Sequence, residues 1–155
     1  MQTKVLMVCL GNICRSPLAE GILKSKTSSQ HVFVDSAGTA GYHIGNNPDK
    51  RSIAVANKYG IDISGQRCRK FNYDDFAQFD IIYAMDLSNY YDILALSNDK
   101  GDIDKVRLLL EEGGSTVREV PDPYYGGTDG FEDVFKLINQ ACDMIAKKIN
   151  TNQKS

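Results

Sequence analysis

Tryptophan is absent from this sequence of 155 residues, and histidine (two residues) and cysteine (four residues) are scarce. The cysteines form no C-x-x-C pair, and His31 and His43 lie too far apart to share one helical face. Zinc sites in proteins are commonly built from such paired ligands. We therefore expect no metal site, and we expect each thiol to be either core filler or a group with chemistry of its own.

Long hydrophobic runs and clusters of one charge are also missing. The apolar run near the amino terminus is short and is broken by Gly11, Asn12 and Arg15, so no stretch could span a bilayer or serve as a signal peptide. The formal net charge is -2, with Lys and Arg scattered along the chain, which leaves no footprint for nucleic acid or an anionic membrane. We expect a cytoplasmic protein that binds neither partner and keeps its thiols reduced.

The composition that remains is typical of one globular domain. Hydrophobic residues make up 42% and charged residues 25% of the chain, values close to the average of globular proteins. A chain of 155 residues can bury a core without the help of disulfides. We predict a single domain over residues 1–150, followed by a polar tail at residues 151–155 that frays.

Apolar segments alternate with helical patterns along the chain. The continuous apolar run from Lys4 to Cys9 is typical of a strand that is covered on both faces of a parallel sheet. Ser16 and Pro17 suit the N-cap and the first position of the helix that follows. Further strands are predicted at residues 32–34, 81–85 and 106–110, and helices at residues 48–59, closed by Gly60, and 88–96.

The closing helix has the clearest pattern. Asp129 and Glu132 are spaced for a capping box at its start. One apolar face is predicted to pack on the core, with Cys142 as core filler: Phe131, Val134, Phe135, Ile138, Cys142, Ile145 and Ile149. The alternation of strands and helices predicts an α/β fold with a mostly parallel sheet flanked by helices on both faces.

The loop after the first strand, residues 9–16, combines the features that a phosphate site needs. Ligands of parallel sheets bind at the carboxyl ends of strands, and backbone N–H groups at a helix N-terminus bind anions. Gly11 and Asn12 suit a tight turn. Cys9 and Arg15 are spaced so that a curled loop could place a thiolate beneath phosphorus and a guanidinium against the oxygens. The hydroxyl of Ser16 could donate a hydrogen bond to the sulfur, and these surroundings favour the thiolate.

A Cys-x5-Arg spacing alone does not establish such a site. Cys9 could simply end a buried strand, and Arg15 could be a solvated charge beside a helix. Their position between a buried strand and a Ser-Pro helix start favours the interpretation as nucleophile and clamp.

The segment VCLGNICRSP, from Val8 to Pro17, resembles the signature of the low-molecular-weight protein tyrosine phosphatases. Two further segments agree with that family, residues 35–39 (DSAGT) and residues 121–126 (PDPYYG), so the resemblance covers essentially the whole chain. It implies a single domain with a four-stranded parallel β-sheet and no metal or cofactor. It also implies a phosphate-binding loop after the first strand, made of Leu10, Gly11, Asn12, Ile13, Cys14, Arg15 and Ser16.

The resemblance implies hydrolysis of phosphotyrosine and small aryl phosphates, with inorganic phosphate as product. Cys9 would form a cysteinyl-phosphate, and a general acid is needed because an aryl oxygen leaves poorly as an anion. Asp122 lies between two prolines in a turn, and by resemblance it is this acid and later the base that activates water. The position between two prolines is the only sequence feature that distinguishes Asp122 among the 20 acidic residues.

Further residues take roles by the same resemblance. Tyr124 and Tyr125 form an aromatic wall that stacks on a substrate ring, and some family members are phosphorylated there. Cys14 lies near the nucleophile and can form a reversible disulfide with it. We expect a monomer or a weak dimer.

Two positions depart from the family pattern. Tyr42, beside His43 on the wall of the substrate crevice, stands where many members have Trp. Gln66 replaces a His that supports the Asn of the loop. Because Gln can still donate to an amide oxygen, we expect Gln66 and Ser36 to support Asn12.

Three other readings stay open. Arsenate reductases share the fold, but Cys68 and Cys142 are too far apart in sequence to resemble their thiol relay. Protein-arginine phosphatases favour a small polar residue where this loop has Ile13, and they lack the tyrosine pair. A phosphate-binding module without catalysis would need neither Cys9 nor Asp122.

Overall fold

The computed structural model describes residues 2–123 and 128–154, without the side chains of residues 128, 129 and 151–154. In chain order the elements are β1 (Thr3–Cys9), α1 (Arg15–Lys26), β2 (Val32–Gly38), α2 (Lys50–Lys58), α3 (Asp75–Gln78), β3 (Ile81–Ala84), α4 (Leu87–Leu94), α5 (Lys100–Asp104), β4 (Val106–Leu108), α6 (Leu109–Glu112) and α7 (Thr128–Lys154).

The four strands form one parallel sheet in the order β2-β1-β3-β4. The first strand therefore lies in the interior of the sheet, and its last residue, Cys9, pairs with Gly38 at the end of β2. The predicted α/β fold with a four-stranded parallel sheet is confirmed.

Strand β1 is buried on both faces, which explains its continuous apolar sequence. Val5 and Met7 belong to a core that α1 and α7 cover, whereas Leu6 and Val8 belong to a second core with Phe76 of α3. Helices thus flank both faces of the sheet, as predicted. No helix within residues 2–123 and 128–154 is long and apolar enough to cross a membrane.

The closing helix α7 buries the whole apolar face that was predicted, with Cys142 fully enclosed. The predicted capping box stays a prediction, because the side chain of Asp129 lies outside the described part of the structure. Helix α7 begins at Thr128, one residue before the expected cap, and the carboxylate of Glu132 contacts Lys58 (3.0 Å) and the hydroxyl of Tyr59. The helix runs to Lys154 and includes no Gly or Pro in residues 151–154. The domain bounds and the frayed tail at residues 151–155 stay predictions.

The start of α1 also differs from the prediction. Cys14, not Ser16, occupies the N-cap position, and no side chain caps the helix. The hydroxyl of Ser16 lies 3.0 Å from the sulfur of Cys9 and is therefore engaged elsewhere. Pro17 falls in the first turn, where its missing N–H removes no helical hydrogen bond.

The ends of two strands also differ from the predicted ones. Strand β2 continues through Asp35 to Gly38 because the pairing with β1 continues, although the apolar sequence pattern ends at Val34. Strand β4 ends at Leu108, and the predicted strand residues after it belong to α6. Helix α2 is followed by Gly60 with a φ of 80°, as predicted for its C-terminal cap.

Candidate active site

Residues 10–14 connect the end of β1 to the start of α1 at the carboxyl edge of the sheet. Asn12 adopts the left-handed conformation with a φ of 58°. Asn is one of the few residues with a side chain that tolerate this conformation. The turn brings Cys9 and Arg15 to one side of the loop, where both line the same cavity.

The sulfur of Cys9 is almost enclosed, with 3% of the residue exposed. The backbone N–H of Asn12 donates to it at 3.2 Å, and the hydroxyl of Ser16 lies 3.0 Å away, as predicted. Both groups can donate to a thiolate, and hydrogen bonds to a charged acceptor are stronger than those to a neutral one. The surroundings of Cys9 therefore suit a negatively charged nucleophile.

Backbone donors of the loop are available to an anion. In the part of the chain that the structure describes, no protein acceptor contacts the N–H groups of Gly11, Ile13 and Cys14. These groups lie just before the N-terminus of α1, where the helix dipole favours negative charge. The loop therefore has the donors of an anion-binding site.

Arg15 is buried and held by two acceptors. Its Nη1 donates to Asp86 Oδ2 at 2.6 Å and to the carbonyl oxygen of Val120 at 2.9 Å, and its Nη2 lies 3.7 Å from Asp122 Oδ2. Burial alone would lower the pKa of Arg15, but the nearby Cys9 and Asp86 outweigh that effect and raise it. The guanidinium is thus a fixed, permanent positive charge.

Sequence reasoning missed Asp86. The residue directly follows Met85 at the carboxyl end of β3 and also caps α4, since its Oδ1 accepts from the N–H of Asn89 at 2.8 Å. Its place immediately after an interior strand, at the edge where Cys9 lies, was the signal that could have identified it.

The cavity has a volume of about 260 Å³ and includes most of the predicted site. Asp122 lies at its wall with about a third of its side chain exposed. Tyr42 and His43 line it as predicted, and Tyr42 is largely exposed. Tyr124 and Tyr125 lie outside the described residues. The full lining is Cys9, Leu10, Gly11, Ile13, Cys14, Arg15, Tyr42, His43 and Asp122.

Asn12 is buried and fully bonded behind the cavity. Its Nδ2 donates to the hydroxyls of Ser16 (2.9 Å) and Ser36 (3.0 Å), and its Oδ1 accepts from the N–H of Arg69 at 2.9 Å. Ser36 donates in turn to Glu20 at 2.7 Å, and burial raises the pKa of Glu20. Ser36 thus contacts Asn12, and its supporting role in the loop stays a prediction.

The predicted support by Gln66 is wrong. Its Nε2 donates to the carbonyl oxygen of Pro17 at 3.1 Å, so the side chain contacts helix α1 and not Asn12. The backbone of Arg69 takes the place that was expected for Gln66 because it already satisfies the amide oxygen of Asn12.

Gly38 allows the loop to lie directly on β2. A Cβ atom at this position would lie 2.8 Å from the carbonyl oxygen of Leu10 and 3.0 Å from the carbonyl carbon of Gly11. The next residues hold the loop by backbone bonds, from Thr39 N–H to the Cys9 carbonyl and from Ala40 N–H to the Leu10 carbonyl, both at 2.9 Å. Only glycine leaves room for this approach.

The other thiols differ from Cys9 in their surroundings. Burial, with the charge of Asp49, raises the pKa of Cys14 to about 12, and burial raises the pKa of Cys68 to about 11. Both are therefore neutral thiols at pH 7. All four cysteines are free. Within residues 2–123 and 128–154, no group of three or more His, Cys, Asp or Glu side chains could hold a metal ion.

Comparisons with known proteins agree with this geometry. The family model of the low molecular weight phosphotyrosine protein phosphatases matches residues 4–155. The chain is 42% identical over 138 residues to the low molecular weight phosphotyrosine protein phosphatase of Schizosaccharomyces pombe, covering 85% of this chain and 87% of that protein. It is 40% identical over 149 residues to the human enzyme of the same name, covering 93% and 94%.

A solved structure shares the fold along almost the whole chain. The crystal structure of a protein tyrosine phosphatase from Entamoeba histolytica, with Hepes in the active site, matches with a TM-score of 0.89 and 37% identity, covering 98% of this chain and 99% of that one. With a family model over nearly all residues and relatives of this similarity, the chain belongs to the low molecular weight phosphotyrosine protein phosphatase family.

Proposed function

We propose that this chain is a protein tyrosine phosphatase that hydrolyses phosphotyrosine and small aryl phosphates through a cysteinyl-phosphate at Cys9. The observation that carries the proposal is the convergence of Cys9, Arg15 and Asp122 on one cavity beside the N-terminus of α1. A nucleophile, a cationic clamp and an acid are the groups that phosphomonoester hydrolysis needs.

In the first step, the N–H groups of the loop and the guanidinium of Arg15 bind the phosphoryl oxygens. The thiolate of Cys9 attacks phosphorus, the bond from phosphorus to the aryl oxygen breaks, and Asp122 gives its proton to the leaving oxygen. The products of this step are the phenol and the phosphocysteine.

In the second step, Asp122, now a carboxylate, takes a proton from water. The water oxygen attacks phosphorus, the bond from sulfur to phosphorus breaks, and inorganic phosphate leaves. The hydroxyl of Ser16 stabilises the thiolate that reforms, since it lies 3.0 Å from the sulfur.

The depth of the nucleophile supports a preference for aryl esters. Cys9 is 3% exposed at the base of the cavity, whereas Tyr42 is 75% exposed at its rim. A phosphotyrosine side chain is long enough to reach such a base and flat enough to stack on aromatic walls, and phosphoserine is shorter. Phosphotyrosine should therefore be hydrolysed faster than phosphoserine.

Cys14 supports a reversible response to oxidation. A peroxide, itself reduced to an alcohol or water, would oxidise the Cys9 thiolate to a sulfenic acid. The sulfur of Cys14 would then attack the sulfur of Cys9 to form a disulfide, and the Cys14 proton would leave with the sulfenic hydroxyl group as water. Both residues line the same cavity. We expect dithiothreitol to restore activity to oxidised wild type, and a Cys14→Ser variant to stay inactive. Equal recovery of the two proteins would reject this role.

Four free thiols fit a reducing compartment such as the cytoplasm. We also propose that the protein is a monomer or a weak dimer. Sedimentation at several protein concentrations can test this.

The test of the main proposal is hydrolysis of p-nitrophenyl phosphate and a phosphotyrosine peptide without added metal. Cys9→Ser should abolish turnover, and Asp122→Ala should slow it by about 10²- to 10⁴-fold. Phosphoserine and phosphoarginine peptides and arsenate are the comparison substrates. If the Cys9→Ser variant still turns over substrate, or if the Asp122→Ala variant is as fast as wild type, the assigned roles are rejected.

A further inference from the structure

Cys68 lies behind the phosphate-binding loop and touches its backbone. Its thiol lies 2.8 Å from the carbonyl oxygen of Asn12, and 4% of the residue is exposed. The proposed reaction gives Cys68 no part, and the residue does not line the cavity. Its contact is nevertheless with the residue whose N–H donates to the nucleophile Cys9.

The segment that carries Cys68 is firmly attached to the sheet and to a neighbouring loop. The N–H of Cys68 donates to the carbonyl of Asn46 at 2.9 Å, and its carbonyl accepts from the N–H of Gly45 at 2.8 Å. Arg69, the next residue, bonds Asp35 and Asp75 at 3.1 Å each. These contacts therefore fix the position of the backbone that carries the thiol.

This segment holds Asn12 at two points. Cys68 contacts the backbone carbonyl, and the N–H of Arg69 donates to the side-chain Oδ1 at 2.9 Å. The backbone of Asn12 has the left-handed φ of 58°, a conformation that is less favourable than the right-handed one for any residue with a side chain. A donor at the carbonyl helps to keep the peptide unit in that orientation.

The orientation of this peptide unit decides where the next N–H points. In a planar trans peptide, the carbonyl of Asn12 and the N–H of Ile13 point in opposite directions. With the carbonyl turned toward Cys68 in the interior, the N–H of Ile13 points away from it. Ile13 lines the cavity, and its N–H has no protein acceptor within the described ranges.

The thiol of Cys68 can serve as the donor at neutral pH. Burial, with the charge of Cys9 as the second cause, raises its pKa to about 11, so the proton stays on the sulfur. The carbonyl oxygen of Asn12 can only accept.

We propose that Cys68 is a positioning residue of the phosphate-binding loop, whose S–H donates to the Asn12 carbonyl and thereby directs the Ile13 N–H toward the bound phosphate. This inference rests on the proposed function, since it takes the loop to bind the phosphoryl group of the substrate.

The experiment compares Cys68→Ala with Cys68→Ser, two variants of nearly equal size that differ in the presence of a donor. The readouts are the Kd of inorganic phosphate, measured by calorimetry, and kcat/KM for p-nitrophenyl phosphate. We expect Cys68→Ala to weaken phosphate binding and to lower kcat/KM by about three- to tenfold, the effect of one hydrogen bond. Cys68→Ser should stay within about twofold of wild type, because the hydroxyl retains the donor.

Two controls separate positioning from packing. Cys142→Ala removes a buried thiol of α7 that neither belongs to the loop nor lines the cavity, and it should change thermal stability but not phosphate affinity. Cys68→Val fills the volume of the thiol without a donor and should behave like Cys68→Ala, so the comparison holds if Cys68→Ala folds poorly.

The outcomes distinguish the inference from the function on which it rests. Equal phosphate affinity in wild type and Cys68→Ala, or equally weak binding by Cys68→Ala and Cys68→Ser, would overturn the positioning role while wild-type turnover upheld the phosphatase. A different outcome is that wild type and Cys68→Ser bind phosphate more tightly than Cys68→Ala, but wild type hydrolyses no ester. This result would support the positioning role of Cys68 and reject the proposed reaction.

Discussion

The orientation of Arg15 depends on Asp86. The two side chains are joined at 2.6 Å, while Asp122 lies 3.7 Å from the same guanidinium. Without the charge of Asp86, the Val120 carbonyl would still accept from Nη1, but the guanidinium would be drawn more strongly toward Asp122, the proposed acid. In the proposed mechanism, Asp86 therefore keeps the guanidinium of Arg15 away from the carboxyl group of Asp122.

Replacing Asp86 by Asn should lower both activity and stability. We expect Asp86→Asn to reduce kcat/KM for p-nitrophenyl phosphate by about 10- to 100-fold, the effect of losing one charged hydrogen bond. Stability should fall by about 1–3 kcal/mol, because the buried guanidinium loses its charged partner and the Nδ2 of Asn would face a donor, either Arg15 or the N–H of Asn89. Steady-state kinetics and thermal unfolding measure the two effects.

The control is Asp92→Asn, a change of the same charge at an exposed position of α4. This variant should match wild type in both measurements. An Asp86→Asn enzyme as active as the control would show that Arg15 needs no charged partner.

At the residue scale, the sequence predicted the groups that lie within one local motif. Cys9, Arg15 and the contact of Ser16 with the sulfur follow from a short segment in which spacing limits the geometry. Asp86 and Cys68 are 71 and 56 residues away from their loop partners. No local pattern encodes such contacts, because they depend on how the strands and loops pack. The error at Gln66 has the same origin.

The end of strand β2 is the element on which the loop rests, and Gly38 is its critical position. Gly38→Ala should lower kcat/KM by at least tenfold and reduce the free energy of unfolding by about 1–3 kcal/mol, the usual cost of overpacking. The reason is that the added Cβ would lie 2.8 Å from backbone, which cannot rotate away as a side chain could. Kinetics and urea unfolding measure these changes.

The matched control is Gly65→Ala, where a Cβ would meet no atom within 4 Å. Its activity and stability should stay close to those of wild type. If both alanine variants behave alike, the close approach of β2 to the loop is not what requires glycine.

At the element scale, the sequence predicted strands and helices where burial sets the pattern. Strand β1 was found because it is apolar on both faces, and α7 because one helical face is apolar. The second half of β2 was missed because Asp35 and Ser36 are polar and face the site and its ion pairs. The short helices α3, α5 and α6 span only four or five residues each, too few to show a period.

For the whole molecule, the buried thiols predict a loss of stability in alkali. Burial raises the pKa of Cys142 from its ordinary value of 9.0 to about 12. The folded protein therefore keeps this proton to a higher pH than the unfolded chain does. Stability from this group is complete below pH 9 and falls as the pH rises from about 9 to about 12.

Urea unfolding followed by circular dichroism can measure this effect at pH 8 and pH 10.5. Between these values Cys142 should reduce the free energy of unfolding by about 2 kcal/mol, and Cys14 and Cys68 act in the same direction. Cys142→Ala should be less stable than wild type at pH 8 because of the cavity, yet it should lose less stability on going to pH 10.5. Equal losses in both proteins would contradict the assignment.

The burial of β1 on both faces bears on how long the geometry at Cys9 persists before the backbone opens. Local opening in a protein begins where few buried contacts hold the backbone, such as the three-residue edge strand β4. The residues of β1 lie between two cores, so we expect their amide hydrogens to exchange with solvent only when the domain opens as a whole, which native-state hydrogen exchange can measure. Because Cys9 is the last residue of this strand, we expect the position of the proposed nucleophile to be lost only when the whole domain unfolds.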